Sequence, residues 1–225
     1  MVELALFPLQ IVVFPGEEVP LHIFEPRYRQ LVKDTSDSGE PFGIVLTRRT
    51  RGSGGGGPDP GDHEPTHEIG CTVRMEATEA FPDGRYNIMC RGEHRFRIIE
   101  KLGERPYWVA EVEYLNDPAD AYSQAAGEAY VDAAALYREH LGLALALQNS
   151  WQRRYRLPSG AIELVNHIGS RLEAPASVKQ EVLKAETAVE QLNLLSRVLR
   201  TTNRQLHDRV DLHHRQRYSG LGAGN

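Results

Sequence analysis

Over the first 115 residues, short apolar runs alternate with turn-forming residues, a pattern that predicts β-structure. Residues 4–7 form an apolar run closed by Pro8, and residues 11–14 form another stopped by Pro15-Gly16. Residues 21–24 predict a third strand, with His22 and Phe24 on one face and Leu21 and Ile23 on the other. Pro26 suits the first turn of a helix, where its missing N–H leaves no bond unmade. Tyr28, Leu31 and Val32 stripe that helix, Ser38-Gly39 end it, and residues 42–46 predict the next strand. Strands over 72–81 and 85–90 flank Pro82-Asp83-Gly84, a hairpin turn in which each residue has a conformational reason. Residues 95–102 and 107–115 complete six or seven short strands with one small helix. That inventory implies a closed or nearly closed β-barrel or sandwich.

At Asn116-Asp117-Pro118 the period changes. Tyr122, Ala126, Ala129, Ala133, Leu136 and His140 recur at helical spacing. Leu157-Pro158 breaks the chain, and Ile162, Val165, Ile168 and Leu172 stripe another helix. Ser177 with Gln180, and Thr187 with Glu190, form two capping boxes. Val189, Leu192, Leu195, Val198 and Leu199 supply the last buried face. The expected fold class is α+β: a β-barrel subdomain over 1–117, a helical bundle over 118–206, and a basic, mobile tail over 207–225.

Charge and composition narrow the function classes. The formal net charge is −5, but from Arg197 onward six arginines face two aspartates, so the tail is +4 and the preceding chain −9. A basic tail on an acidic body suits a solvated helix end or contact with an acidic partner. Two cysteines, Cys71 and Cys90, are too few for a disulfide framework and suit a reducing compartment. No signal pattern opens the chain and no apolar run approaches the roughly 18 residues that span a bilayer, so a soluble, cytoplasmic protein is expected. Residues 48–65 are a Gly- and Pro-rich loop by composition.

One stretch is distinctive. Phe7-Pro8-Leu9, Phe14-Pro15-Gly16 and Leu21-His22-Ile23-Phe24-Glu25-Pro26-Arg27-Tyr28 follow one another in an unusual order and spacing. The segment resembles the start of the Lon-protease N-terminal domain family. Ile69-Gly70-Cys71-Thr72-Val73, Asp83-Gly84-Arg85-Tyr86, Gly92-Glu93-His94-Arg95-Phe96-Arg97-Ile98 and Lys179-Gln180-Glu181-Val182-Leu183 extend the resemblance to about residues 3–200. The resemblance implies a PUA-like pseudo-barrel followed by helices, and a role in recognising unfolded or tagged protein substrates. No ATPase or protease part follows, and the Gly-rich stretch at 52–57 is longer than the family pattern leads one to expect. A stand-alone, substrate-binding member is therefore the expectation.

Other motifs carry less. His63-Glu64-Pro65-Thr66-His67 matches H-E-x-x-H, whose chemistry needs both histidines on one helical face. Pro65 forbids a regular helix through the centre, and a strand follows at once, so the match is read as coincidence. A zinc site from His63, His67 and Cys71 lacks an evident fourth ligand. A phosphate-binding loop needs a lysine, and none lies between Lys33 and Lys101. Lys179 and Lys184 fall in a helix whose Ser177 is better used as a cap, which leaves no Ser–Lys dyad. Cys71 and Cys90 lie within strands, where a buried, inert thiol is the common fate.

These readings predict a non-enzymatic protein-binding module without cofactor or metal. Its expected partners are unfolded or tagged segments and a separate protease, with no membrane. The candidate residues are His22, Phe24, Glu25, Arg27, Tyr28 and Arg95, with junction-holding hydrogen bonds as the competing role for Glu25, Arg27 and Arg95. RNA binding through a PUA-like fold and the Arg-rich tail is the alternative, against which the acidic body argues.

Overall fold

A computed structural model describes residues 1–48, 65–104, 106–148, 150 and 155–219, so the expected Gly-rich loop and most of the H-E-x-x-H stretch lie outside the described residues. The chain divides into two compact units: Met1–Asn116 with Glu173–Lys184, and Asp117–Leu172 with Ala185–Asn225.

The first unit holds β1 (Val2–Leu9), β2 (Glu18–Ile23), α1 (Pro26–Ser38), β3 (Phe42–Leu46), β4 (Ile69–Ala80), β5 (Tyr86–Glu104), β6 (Trp108–Tyr114) and α4 (Ala176–Lys184). Its six strands run β2-β5-β4-β3-β1-β6, and β6 pairs again with β5, so the sheet closes on itself. β1 and β3 are parallel; the other pairings are antiparallel. Closure depends on the length of β5. Its first part pairs with β2 from Tyr86 to Arg91, and its second part pairs with β6 from Phe96 to Glu104. Register shifts in the β5–β6 pairing, between Ile98 and Glu100 and between Lys101 and Gly103, bend the long strand around this corner.

Local signals place α1 and β3 where the pattern predicts them. Pro26 opens α1, and Gly39 ends it in the left-handed conformation with its N–H donated to the Thr35 carbonyl. Three expectations change. Pro8 does not close β1, which runs on to Leu9 beside β3. Residues 11–14 are not a strand, although Val12, Val13 and Phe14 are buried. Their backbone is held by unrelated partners instead: Phe14 N–H donates to the Glu17 carboxylate at 2.9 Å, and Gly16 N–H to the Gly92 carbonyl. The two strands expected over 85–90 and 95–102 are one, because Gly92 lets the Phe14 carbonyl approach so closely that a Cβ there would collide with it.

Inside the closed sheet, Phe7, Val19, Ile23, Tyr28, Leu31, Phe42, Val73 and Cys90 form one core cluster, to which α1 contributes its stripe. Leu4, Leu6, Val45, Phe96, Trp108 and Val112 form a second cluster. The expected α4 capping box does not form. Ser177 lies inside the helix, and Gln180, 1% exposed, donates to the Ile69 carbonyl instead. Arg95 Nη1 donates to the Leu183 carbonyl at 2.9 Å, so α4 is tied to the sheet at its middle and its C-terminal end and leaves the run of helices to which the sequence pattern assigns it.

The second unit contains α2 (Gln124–Leu147), α3 (Ala161–Arg171) and α5 (Ala188–Ser219). Asp120 with Ala188, Asp132 with Arg200, and Glu139 with His207 are bonded at one constant offset of 68 residues, so α2 and α5 run parallel. The expected Thr187 cap is made, with Thr187 Oγ1 accepting from Glu190 N–H. The Asp120 carboxylate accepts from Ala188 and Val189 and completes it, a contribution no local motif revealed. Tyr122 precedes α2, which Ser123 caps, and stands 97% exposed rather than on the buried stripe. No helix among the described residues is long and apolar enough to cross a membrane.

Candidate functional site

β2 lies at the end of the sheet order, and Pro20 removes one amide donor from it, a common protection of edge strands. Its pleat alternates strictly: Val19 and Ile23 point into the core, while Glu18, Pro20 and His22 are exposed. The register with β5 and β4 lines these outward residues up in three cross-strand rungs. Glu18 meets Arg91, which also donates to Glu76; Pro20 meets Met89 and then Ala77; His22 meets Asn87 and then Glu79. A groove of about 550 Å³ runs over this surface, lined by Pro20, Leu21, His22, Glu79, Asn87 and Met89 among others.

The polar rung is a hydrogen-bonded row. His22 Nδ1 and Asn87 Oδ1 are 2.7 Å apart, and Asn87 Nδ2 donates to Glu79 Oε2 at 3.1 Å. An amide oxygen only accepts, so Nδ1 of His22 donates to it, and Nε2 lies 3.5 Å from Arg85 Nη1. Beyond this rung Phe24 stands 61% exposed, its ring stacked 6.2 Å from His22, and Phe81 meets His22 edge-on at 6.3 Å. Arg85 lies 5.7 Å from the Phe81 ring and is held by Asp83 at 2.7 Å. The groove therefore has an apolar middle, with the Phe24 and Phe81 rings beyond its His22 end and the Arg91 ion pairs beyond the other.

The six sequence candidates separate into groups. His22 and Phe24 share the grooved face. Glu25 caps α1, its carbonyl accepting from Tyr28 and Arg29, and its carboxylate accepts from Arg27 at 2.9 Å. The Arg27 guanidinium covers the Tyr28 ring at 4.6 Å, while Tyr28 itself is buried against Phe7. Glu25, Arg27 and Tyr28 thus form the strand-to-helix junction. Arg95 is elsewhere, bonded to the carbonyls of Leu183 and Asn116. Pro20, Glu79, Asn87 and Met89 were not singled out from the sequence; only the outward parity of Pro20 was readable there.

The remaining chemistry-bearing residues are placed otherwise. His63 and Glu64 lie outside the described residues. Thr66 forms a bridge to Thr47 and His67 N–H donates to the Leu46 carbonyl, so this end of the motif is extended rather than helical. Among the described residues, no three His, Cys, Asp or Glu side chains are grouped to hold a metal. Cys71 and Cys90 are free and buried. Burial pushes the Cys71 thiol far up and that of Cys90 up to about 12, which leaves neither as a ready thiolate.

The sequence matches the family model described as the ATP-dependent protease La (LON) substrate-binding domain over residues 3–201. Lon protease 2 of Myxococcus xanthus is 25% identical over 219 residues, covering 89% of this chain but 24% of that protein. The Lon protease of Flavobacterium johnsoniae is 27% identical over 117 residues, covering 52% of this chain and 14% of that protein. The chain thus spans a quarter or less of these curated relatives. The crystal structure of a Lon N-terminal domain protein from Xanthomonas campestris superposes with a TM-score of 0.62 at 24% identity, covering 87% of this chain and 97% of the other, and shows the shared fold. The chain belongs to the LON substrate-binding domain family.

Proposed function

We propose that this chain is a non-catalytic module that binds extended, apolar segments of unfolded or tagged proteins in the groove over β2, β5 and β4. In proteolysis it acts as an adaptor for a separate protease or as a holder of unfolded chains. The observation that carries the reading is the groove itself: Pro20, Met89 and Ala77 give an apolar floor, with Phe24 and Phe81 at one end. An exposed Phe24 and a half-buried Met89 beside a concave apolar surface suit side chains of varied shape, the recognition that an unfolded client demands. Family membership agrees with a binding role. Pro20 on the open edge disfavours full strand addition, so the face rather than the edge carries the binding.

The test is fluorescence anisotropy with a labelled, permanently unfolded protein such as a reduced and carboxymethylated lactalbumin, without nucleotide. Binding in the micromolar range is expected. Met89→Glu should weaken it at least tenfold while leaving the melting temperature near that of the parent. If several unfolded proteins fail to bind, the reading is wrong; salt-sensitive RNA binding in their place would favour the nucleic-acid alternative.

A further inference from the structure

Resting on that reading, we infer that the groove selects client segments in which a lysine or arginine stands beside the apolar residues, and that Glu79 is the residue that reads the positive charge. Among the described residues, four acids lie on or beside the grooved face: Glu18, Glu76, Glu79 and Asp83. Three of them have an arginine partner within the protein, since Glu18 and Glu76 share Arg91 and Arg85 holds Asp83 at 2.7 Å. Glu79 differs. It lines the groove, yet among the described residues its only hydrogen-bond donor is the neutral Asn87 amide, and no lysine or arginine pairs with it. Its second oxygen is left for an incoming donor.

The surroundings fix where that donor sits. Asn87 spends its carbonyl oxygen on His22 and its amide on Glu79, so the row locks the carboxylate at the wall of the apolar rung formed by Pro20, Met89 and Ala77. A bound segment that lays an aliphatic or aromatic side chain on that rung brings the side chain two positions on, which points the same way along an extended strand, over Glu79. A long cationic side chain there keeps its stem on apolar surface while its head meets the carboxylate. An acidic side chain at that position meets an uncompensated like charge instead.

The probes are two short fluorescein-labelled peptides, identical except for lysine or glutamate two positions from a central phenylalanine. At low salt the lysine peptide should bind the parent protein about three- to fivefold more tightly, the scale of one half-exposed ion pair, and the difference should shrink in high salt. In Glu79→Gln the amide oxygen still accepts from Asn87, so the fold is kept and the two affinities converge; in Glu79→Lys the order reverses. Equal affinities for the parent, or a lysine preference that survives Glu79→Gln, would overturn the inference while leaving the groove as a binding site. Failure of both peptides and of the unfolded protein would remove the binding reading along with it.

Discussion

Gln180 donates its Nε2 to the carbonyl of Ile69 at 2.9 Å, joining positions 111 residues apart across the fully buried underside of α4. With the Arg95 bond to Leu183, it makes α4 a fixed part of the sheet unit rather than of the helices that surround it in sequence. A buried hydrogen bond whose acceptor is left unpaired costs about 1–3 kcal/mol. Gln180→Ala should lower the unfolding free energy by that amount in urea denaturation. Combined with Arg95→Ala, it should show less than additive loss, because both act through the docking of one helix. Fully additive losses would mean that the two bonds hold α4 independently.

Gly92 is the second point where a single residue determines the topology. Its N–H donates to the Glu17 carbonyl, its carbonyl accepts from Gly16, and the Phe14 carbonyl occupies the space a side chain would need. Backbone is against it, so the strain cannot be relieved by turning a flexible side chain. Gly92→Ala should destabilise the protein by about 1–3 kcal/mol, the usual cost of overpacking, or more if β5 is forced off the 14–17 turn. Thermal unfolding followed by circular dichroism would register this; an unchanged midpoint would contradict the packing described.

The elements legible in the sequence are those determined within a few residues. α1 carries its own start in Pro26 and its own stop in Gly39, and β3 is a continuous apolar run. Residues 11–14 read as a strand because they are apolar, but their backbone partners are Glu17 and Gly92, which no local pattern discloses. α4 reads as one of the bundle helices for the same reason, since the acceptor of Gln180 is far away in sequence. The outward face of His22 and Phe24 was readable from the period of two. The rest of the groove was not, because β4 shifts register between Met75 and Ala77. Met75 packs toward the core beside Cys90, and simple alternation would send Ala77 and Glu79 the same way. The bulge reverses that parity and brings Ala77 beside Met89 and Glu79 beside Asn87 on the outer face.

The two cysteines give a direct test of the core. Cys71 and Cys90 are buried in one cluster, and burial raises the pKa of both thiols. Neither should react with a thiol reagent such as dithionitrobenzoate in the native state at pH 8, and both should react at once in concentrated urea. Rapid native labelling of either would show that the sheet opens easily around it.

Stability should fall as the solution is acidified from pH 7 to pH 5. Burial lowers the pKa of His67, with Arg48 adding to it, and burial also lowers that of His167, whose ring meets Tyr137 edge-on at 5.7 Å. A folded-state pKa below the unfolded value means that the unfolded chain takes up the proton first. The stabilisation is therefore complete above the ordinary histidine value of about 6.5 and is lost as pH drops through and below it. Glu139, held below its usual range by the His207 hydrogen bond and then by Asn203, adds a further loss of the same sign starting near pH 4.5. Urea midpoints measured between pH 7.5 and 5.5 should decline, and His167→Phe should flatten part of that slope. A flat profile in the parent would exclude this account.

Asn203 sets the pairing of the two parallel helices. It is 3% exposed, donates to the Leu136 carbonyl at 2.9 Å and to Glu139 Oε2 at 3.1 Å, and its Oδ1 lies 3.1 Å from His140 Nδ1. Leu192, Leu195, Leu199 and Leu206, buried along the same helix, are interchangeable apolar side chains that would tolerate a slide of α5 along α2, whereas an amide with three specific partners tolerates none. Asn203→Leu should therefore have two separable effects. The lost bonds cost stability while the added apolar burial offsets part of that, so the net change should stay within about 1–2 kcal/mol. The constant offset of 68 residues should loosen as well, visible as faster amide hydrogen exchange along α5 from Leu195 to Leu206 even where the unfolding midpoint has barely moved. Unchanged exchange in that stretch would show that the leucines alone define the register.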